Sequence, residues 1–249
     1  MKLIPKLSLI ISLYFLVIGQ LSAQVIEVPF KSDIPTKTFL VAAPNSKATV
    51  LLFIGGDGVL NLQADGSTAK ENPLIRSVNL WKKYGINAVL VDSPSDLGDA
   101  RRGNTRNAPD YLERVTTVVN FYQKKYSLPV WAFGHSMGTV TVINLANRPD
   151  ANNNVAGIIS AGTHKGEVLS TTFMMPVLSV HHTNDGCAAT PVVASENIIK
   201  GRQNNTKSQL VMIDGGVSEG IPCMGLAYHG FNKTEDKLVE AAAQFILSK

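Results

Sequence analysis

Only two cysteines, Cys187 and Cys223, occur in 249 residues, so one intramolecular disulfide is the most the chain can form. Charged residues make up 17% of it. No Lys/Arg stripe with interleaved aromatics runs through it, so the electrostatic footprint of a nucleic-acid binder is missing. No glycine-rich turn leads into Gly-Lys-Ser or Gly-Lys-Thr, which excludes a Walker-type phosphate loop. There is no internal repeat, low-complexity tract or linker to divide the chain. Beyond the N-terminus no apolar run is long enough to span a bilayer.

The N-terminus is the one long apolar run. Residues 1–23 read MKLIPKLSLIISLYFLVIGQLSA. Lys2 and Lys6 give a basic start, residues 7–19 are apolar apart from two serines and a tyrosine, and Leu21-Ser22-Ala23 approximates a small-residue cleavage site. That arrangement predicts a secretory signal over 1–23 and a mature domain over 24–249. The competing reading is an uncleaved anchor helix, for which the run falls short of the ~20 residues a span requires. No cysteine follows the cleavage site, which argues against a bacterial lipid anchor. The leader carries two lysines and no acid, so the formal charge of +4 becomes +2 without it. The expected location is the periplasm or the medium, where a disulfide is chemically permitted.

What the chain does have is alternation. KATVLLFIGG (47–56), NAVLVD (87–92), PVWAFG (129–134), VAGIIS (155–160), PVLSVHH (176–182) and SQLVMID (208–214) are short apolar runs. Between and after them lie segments with apolar residues at helical spacing: 71–85, ending in a glycine, then 108–126, 139–148, 189–202 and 234–249. Continuous apolar strands separated by helices predict an α/β domain with a mostly parallel sheet covered on both faces. Residues 25–30 and 38–41 read as two earlier strands, antiparallel at one edge.

Two segments match Gly-x-Ser-x-Gly: GHSMG at 134–138 and GVSEG at 216–220. The pattern acquires chemical meaning when a strand precedes it and a helix follows, because the serine then sits on a sharp exposed turn. Ser136 has that context. Ser218 does not: Ile221-Pro222-Cys223 follows it, and Gly215-Gly216 before it suits a loop. The helix after Ser136 also turns its free N–H groups and positive dipole end toward the serine.

With GHSMG between a strand and a helix, the chain resembles the α/β-hydrolase family in element order, from LLFIGG through GHSMG to the C-terminal helix. In that family the catalytic residues run Ser, Asp or Glu, then His along the chain. The resemblance implies His229, in LAYHGF after the last strand, as base. It implies Asp185, in HHTND after PVLSVHH, as acid; Asp214 is the alternative, and Asp92 would need a different chain order. HHTND departs from the family's His-Gly-Thr-x-Asp by placing His182 where glycine is usual. His135 inside the elbow is a common occupant there. The oxyanion hole is expected from the N–H of Met137 and from the loop after LLFIGG, with Gly56 the first choice and Asp57 the second.

The implied chemistry is two-step acyl transfer from a small-molecule or acyl ester to water, with no cofactor. An acyltransferase, thioesterase or peptidase would use the same three residues. A non-catalytic binding domain is the rival from another class. Cys187 and Cys223 flank the proposed acid and base, so a bridge would tie together the two loops that must meet. For a loop of 36 positions the chain-entropy model gives about 3.8 kcal/mol.

The stretch 161–175, where the family often inserts a large lid, is short, which predicts an open cleft that Met174 and Met175 could border. Arg101, Arg102 and Arg106 follow NAVLVD. They read as a solvated basic loop or, for Arg101 and Arg102, as an anion site for a carboxylate-bearing substrate. His181-His182 is not a metal pair, because neighbouring strand residues face opposite ways and no third ligand is evident. Sequons occur at Asn204-Asn205-Thr206 and Asn232-Lys233-Thr234. The sequence is silent on oligomeric state.

Overall fold

The computed structural model describes residues 23–31, 33–93, 104–202 and 206–248. The proposed leader through residue 22, Arg101 and Arg102, and Asn204 and Asn205 lie outside the described residues.

Eight strands form one sheet: β1 (Gln24–Phe30), β2 (Asp33–Val41), β3 (Ala48–Phe53), β4 (Ile86–Val91), β5 (Val130–His135), β6 (Gly157–Ala161), β7 (Val177–His182) and β8 (Ser208–Ile213), in spatial order β1-β2-β4-β3-β5-β6-β7-β8. β1 pairs antiparallel with β2, and β2 antiparallel with β4. All the remaining pairings are parallel. Every residue of β3, β4, β5, β6 and β7 is buried, as expected for strands covered on both faces. β8, at the edge, leaves Gln209 and Met212 exposed.

The helices are α1 (Pro73–Arg76), α2 (Asn104–Asn107), α3 (Pro109–Tyr126), α4 (Gly138–Ala146), α5 (Ala151–Asn154), α6 (Val192–Ile199) and α7 (Glu235–Leu247). They divide between two apolar cores. Leu74 of α1 and Leu238, Val239, Ala242, Ala243 and Phe245 of α7 pack with Trp81 on one face of the sheet. Tyr111, Val115, Val118 and Tyr122 of α3, Val142 and Ile143 of α4 and Ile198 of α6 pack on the other. Fully burying an aliphatic or aromatic side chain of this kind contributes about 1.5–3 kcal/mol.

One expected helix differs. Residues 71–85 form α1 and then a 3₁₀ helix, Leu80–Tyr84, rather than one continuous helix. Asn72 caps α1 by accepting from Leu74 N–H, and Pro73 follows at the first helical position. α1 ends at Ser77, whose N–H bonds back to Pro73 C=O, and Leu80 N–H reaches Ser77 C=O to begin the tighter turn. Gly85, at φ 65°, closes it in the left-handed conformation glycine accepts freely.

Parallel strands all point their carboxyl ends to the same side, where ligand sites of open α/β sheets collect. Here β3 runs into the glycine loop 55–58, β5 into Ser136, β7 into Asp185 and β8 toward His229. The β6–β7 connection, residues 162–176, contains no helix or strand. No helix among the described residues is long and apolar enough to cross a membrane.

Candidate active site

Ser136 has φ 55°, left-handed and rare for a residue with a Cβ. Its backbone is fixed from three sides: its N–H donates to Ala161 C=O at 3.0 Å, and its C=O accepts from Thr139 N–H at 2.8 Å and Thr139 Oγ1 at 2.6 Å. The flanking glycines serve a different purpose. A Cβ on Gly134 would lie 2.3 Å from Gly138 O, and one on Gly138 would lie 2.0 Å from Phe53 O. Both contacts are to backbone, so strand and helix can approach this closely only without those side chains.

Ser136 and His229 line one cavity of about 830 Å³. Its walls come from the loop 54–57, residues 69–72, the elbow and the segment 219–226. His229 is 1% exposed. Its Nδ1–H donates to Asp185 Oδ2 at 2.9 Å, which leaves Nε2 as the basic nitrogen. Thr190 Oγ1 sits 3.1 Å from His229 Nδ1 and donates to Asp185 Oδ2 at 3.1 Å, while Cys187 N–H reaches Asp185 Oδ1 at 2.8 Å. Burial pushes the Asp185 carboxyl up. The hydrogen bond and charge of His229, with the Cys187 N–H, outweigh it and hold the group below its ordinary range. A carboxylate with three donors remains ionised beside an imidazole.

His135 supports the backbone of His229. Asn72 Oδ1 is occupied by Leu74 N–H, so Asn72 Nδ2 donates to His135 Nδ1 at 3.1 Å. His135 Nε2–H then donates to the His229 carbonyl at 2.9 Å. The rings lie 4.8 Å apart. Complete burial, and then the neighbouring His229, pull His135 down to about 3. It is therefore a neutral spacer with one fixed tautomer.

The sequence-level candidates fall into place unevenly. The structure brings Ser136, His229, Asp185, Met137, Gly56 and Asp57 to one end of the sheet. Among the described residues, the N–H groups of Met137, Gly56 and Asp57 make no backbone hydrogen bond. Asp57 is held by Lys70, 3.0 Å away, and accepts from Val59 N–H. Cys187 and Cys223 are bridged, with Cα atoms 4.6 Å apart, and Cys223 lines the cavity. His182 shows no left-handed φ, so the turn does not need the usual glycine. Its Nδ1 accepts from Asn184 N–H and its Nε2–H donates to Gly215 C=O. His181 faces the other way, onto Ser195 Oγ at 3.0 Å.

Several alternatives are spent elsewhere. Asp92 accepts from Leu60 and Leu62 N–H and braces the loop before α1. Asp214 is exposed, as is Ser218. Met174 and Met175 do not line the cavity; Met175 packs against the second core. Asn232 is 4% exposed and donates to Leu226 C=O, so that sequon is closed to a glycan. Arg106 is the clearest correction to the expectation of a solvated basic loop: it is 1% exposed, behind the glycine loop. Arg106, Thr190 and Asn72 carried no motif, and His135, inside GHSMG, gave no sign of its bond to Asn72. An asparagine directly before a proline, the usual opening of a helix, is the one signal that could have found Asn72.

No family model matches the chain. Over 138 residues it is 22% identical to the phospholipase YtpA of Bacillus subtilis (strain 168). The match takes in 52% of this chain and 52% of that protein, so the chain spans about half the length of the curated relative it matches. A dienelactone hydrolase from Anabaena variabilis superposes with a TM-score of 0.63 at 15% identity, covering 91% of this chain and 97% of that one. An α/β serine hydrolase without a lid from Xanthomonas campestris gives 0.58 at 12%, covering 90% and 91%. A soluble variant of monoglyceride lipase from Saccharomyces cerevisiae gives 0.60 at 14%, covering 92% and 97%. The sheet order, the helices on both faces and these likenesses together establish that the chain has the α/β-hydrolase fold.

Proposed function

We propose that this protein is an exported serine hydrolase that cleaves a carboxylic ester of a small molecule through an acyl-enzyme intermediate. The observation that carries the reading is a serine in a left-handed turn sharing a cavity with an imidazole whose far nitrogen is bound to a buried carboxylate.

Ser136 Oγ attacks the ester carbonyl carbon while His229 Nε2 takes its proton. The imidazolium is stabilised by Asp185, which stays ionised and fixes the tautomer. Negative charge on the carbonyl oxygen is met by the N–H of Met137 at the start of α4 and by the N–H of Gly56 or Asp57. His229 returns the proton to the departing alcohol. Water then attacks the acyl carbon as His229 takes its proton, and His229 returns that proton to Ser136 Oγ as the bond to the acid breaks.

Ile54, Ala69, Ile221, Met224 and Leu226 supply apolar wall to the cavity, which favours an apolar acyl or alcohol group beside the reacting carbonyl. Export is supported by the leader pattern in residues 1–23 and by the disulfide.

The test is turnover of a panel of esters differing in acyl length, aromaticity and charge, with product analysis in the presence of alternative alcohols and amines. Acid release that survives competing nucleophiles supports hydrolysis. Predominant transfer to the added nucleophile makes the protein an acyltransferase. No turnover by folded protein, with no reaction at Ser136, defeats the enzymatic reading.

A further inference from the structure

The loop expected to supply the second oxyanion donor reads Gly55-Gly56-Asp57-Gly58, a sequence with little intrinsic shape. Gly56 and Gly58 have φ of +62° and +78°, and glycine backbones lose the most freedom on being fixed. An oxyanion donor works only when it is held in place before charge develops. The turn bond from Gly58 N–H to Gly55 C=O and the Lys70–Asp57 pair hold part of this loop; the carbonyls of Ile54 and Gly56 need a further support.

Arg106 occupies that position. Its Nη2 donates to Ile54 C=O at 3.1 Å and to Gly56 C=O at 3.0 Å, and its Nη1 donates to Thr141 Oγ1 at 2.7 Å. The two carbonyls bracket the Gly55–Gly56 peptide. All peptides here are trans, so each bound carbonyl turns the N–H of its own peptide away from the guanidinium. Thr141 belongs to α4, the helix that begins beside Ser136. One planar fork thus joins the loop to the helix of the nucleophile.

Two further observations indicate that the position is built for arginine. Burying a cation is costly unless it is paired, yet among the described residues no carboxylate lies within salt-bridge distance of Arg106, Asp57 attracts it only from farther off, and Nε has no hydrogen-bond partner. The protein keeps the charge there even so. In addition, Gly58, left-handed at φ +78°, brings its backbone against the guanidinium: a Cβ there would lie 2.7 Å from both Arg106 Nη2 and Ser93 Oγ.

We propose that Arg106 is the positioning residue of the oxyanion hole, fixing the peptide planes around Gly55 and Gly56 and tying them to α4. It touches no substrate. The inference rests on the hydrolase reading above.

The experiment compares Arg106→Met, Arg106→Lys and Thr141→Val with the wild type in ester turnover, in the rate of labelling by a fluorophosphonate, and in affinity for a boronic acid that mimics the tetrahedral state. Circular dichroism confirms folding. Arg106→Met is expected to lower kcat about 100-fold, as loss of one oxyanion donor does, with KM changed by less than about 3-fold. Boronic acid affinity should fall in parallel, while affinity for the product acid stays unchanged. Arg106→Lys, which keeps the charge but not the fork, should recover only part of kcat. Thr141→Val, which leaves both carbonyl bonds, should show the smallest loss of the three.

A folded Arg106→Met with wild-type kcat, or with its whole loss in KM, overturns the proposal. If Arg106→Met does not fold, Arg106→Lys decides: lowered kcat at unchanged KM sustains the role, and wild-type kcat refutes it. A wild type that neither hydrolyses esters nor takes the probe removes the hydrolase reading and this one with it. A reactive wild type matched by its Arg106 variants removes this one alone.

Discussion

Residues 134–138 and 216–220 spell the same five-residue pattern and use it in opposite ways. In the first, the serine has φ 55° and neither flanking glycine is left-handed. Those glycines are there for space, since added Cβ atoms would strike backbone of Gly138 and Phe53. In the second, Gly216 and Gly220 are left-handed, at 71° and 75°, and the serine is not. Gly216 also crowds the Asn232 carbonyl, whereas a Cβ on Gly220 would meet nothing within 4 Å. One glycine pair lets a strand and a helix close on a strained serine; the other lets an exposed loop turn. In a nucleophile elbow the strain falls on the serine itself.

The contrast can be broken most decisively at the serines. Ser136→Ala should lower ester turnover by about 10⁴-fold or more, while Ser218→Ala stays within about 2-fold of wild type. Steady-state kinetics on both variants reads this directly. Equal losses would erase the distinction.

The loop carrying the second match is tethered through Cys223 to the turn holding Asp185. Replacing both cysteines by alanine should cost about 3.8 kcal/mol in denaturant unfolding, the chain-entropy value for a separation of 36. kcat should fall too, because the segment 219–226 lines the cavity.

Glycine replacement sharpens the comparison further. Gly138→Ala should destabilise by about 3 kcal/mol, as overpacking against fixed backbone does. Gly220→Ala, with open space but a left-handed φ, should cost about 1 kcal/mol. Thermal unfolding of both variants checks the order.

The last comparison concerns pH. Burial holds His135, in the buried match, down at about 3 in the folded protein, against about 6.5 in an unfolded chain. Between those values the unfolded state binds a proton that the folded state refuses. Stability should therefore fall as pH drops from about 6.5 toward 3, by at most about 1.4 kcal/mol per pH unit, and this contribution should be flat above that window. Asp185, held below its ordinary range, adds a loss in the same direction only as pH falls through its folded value. His135→Gln should flatten the upper part of the slope in denaturant titrations; Ser218→Ala should leave it unchanged.

Much of this was legible because the physics is local. Short unbroken apolar runs such as VLLF and VWAF, flanked by Gly or Pro, read as strands buried on both faces, and the strand–elbow–helix order around Ser136 follows from neighbours in sequence. The stretch 71–85 was not legible as two short helices. Its apolar spacing fits a continuous helix, and the break at Ser77 depends on hydrogen bonds within the turn. Arg106 was least legible. A guanidinium that holds two carbonyls some fifty positions earlier in the chain looks, in sequence, like any charge in a polar loop. Thr190, bonded to both Asp185 and His229, is equally silent, because its role exists only once β7 and β8 lie side by side.

The proposed hydrolysis requires Ser136, His229 and Asp185 to work as one unit. The most direct measurement is to react the native protein with a fluorophosphonate, digest it and locate the phosphorus by mass spectrometry. The adduct should lie on Ser136, and His229→Ala should slow its formation by orders of magnitude. An adduct on Ser218, or folded protein that hydrolyses esters with Ser136 unmodified, would contradict it.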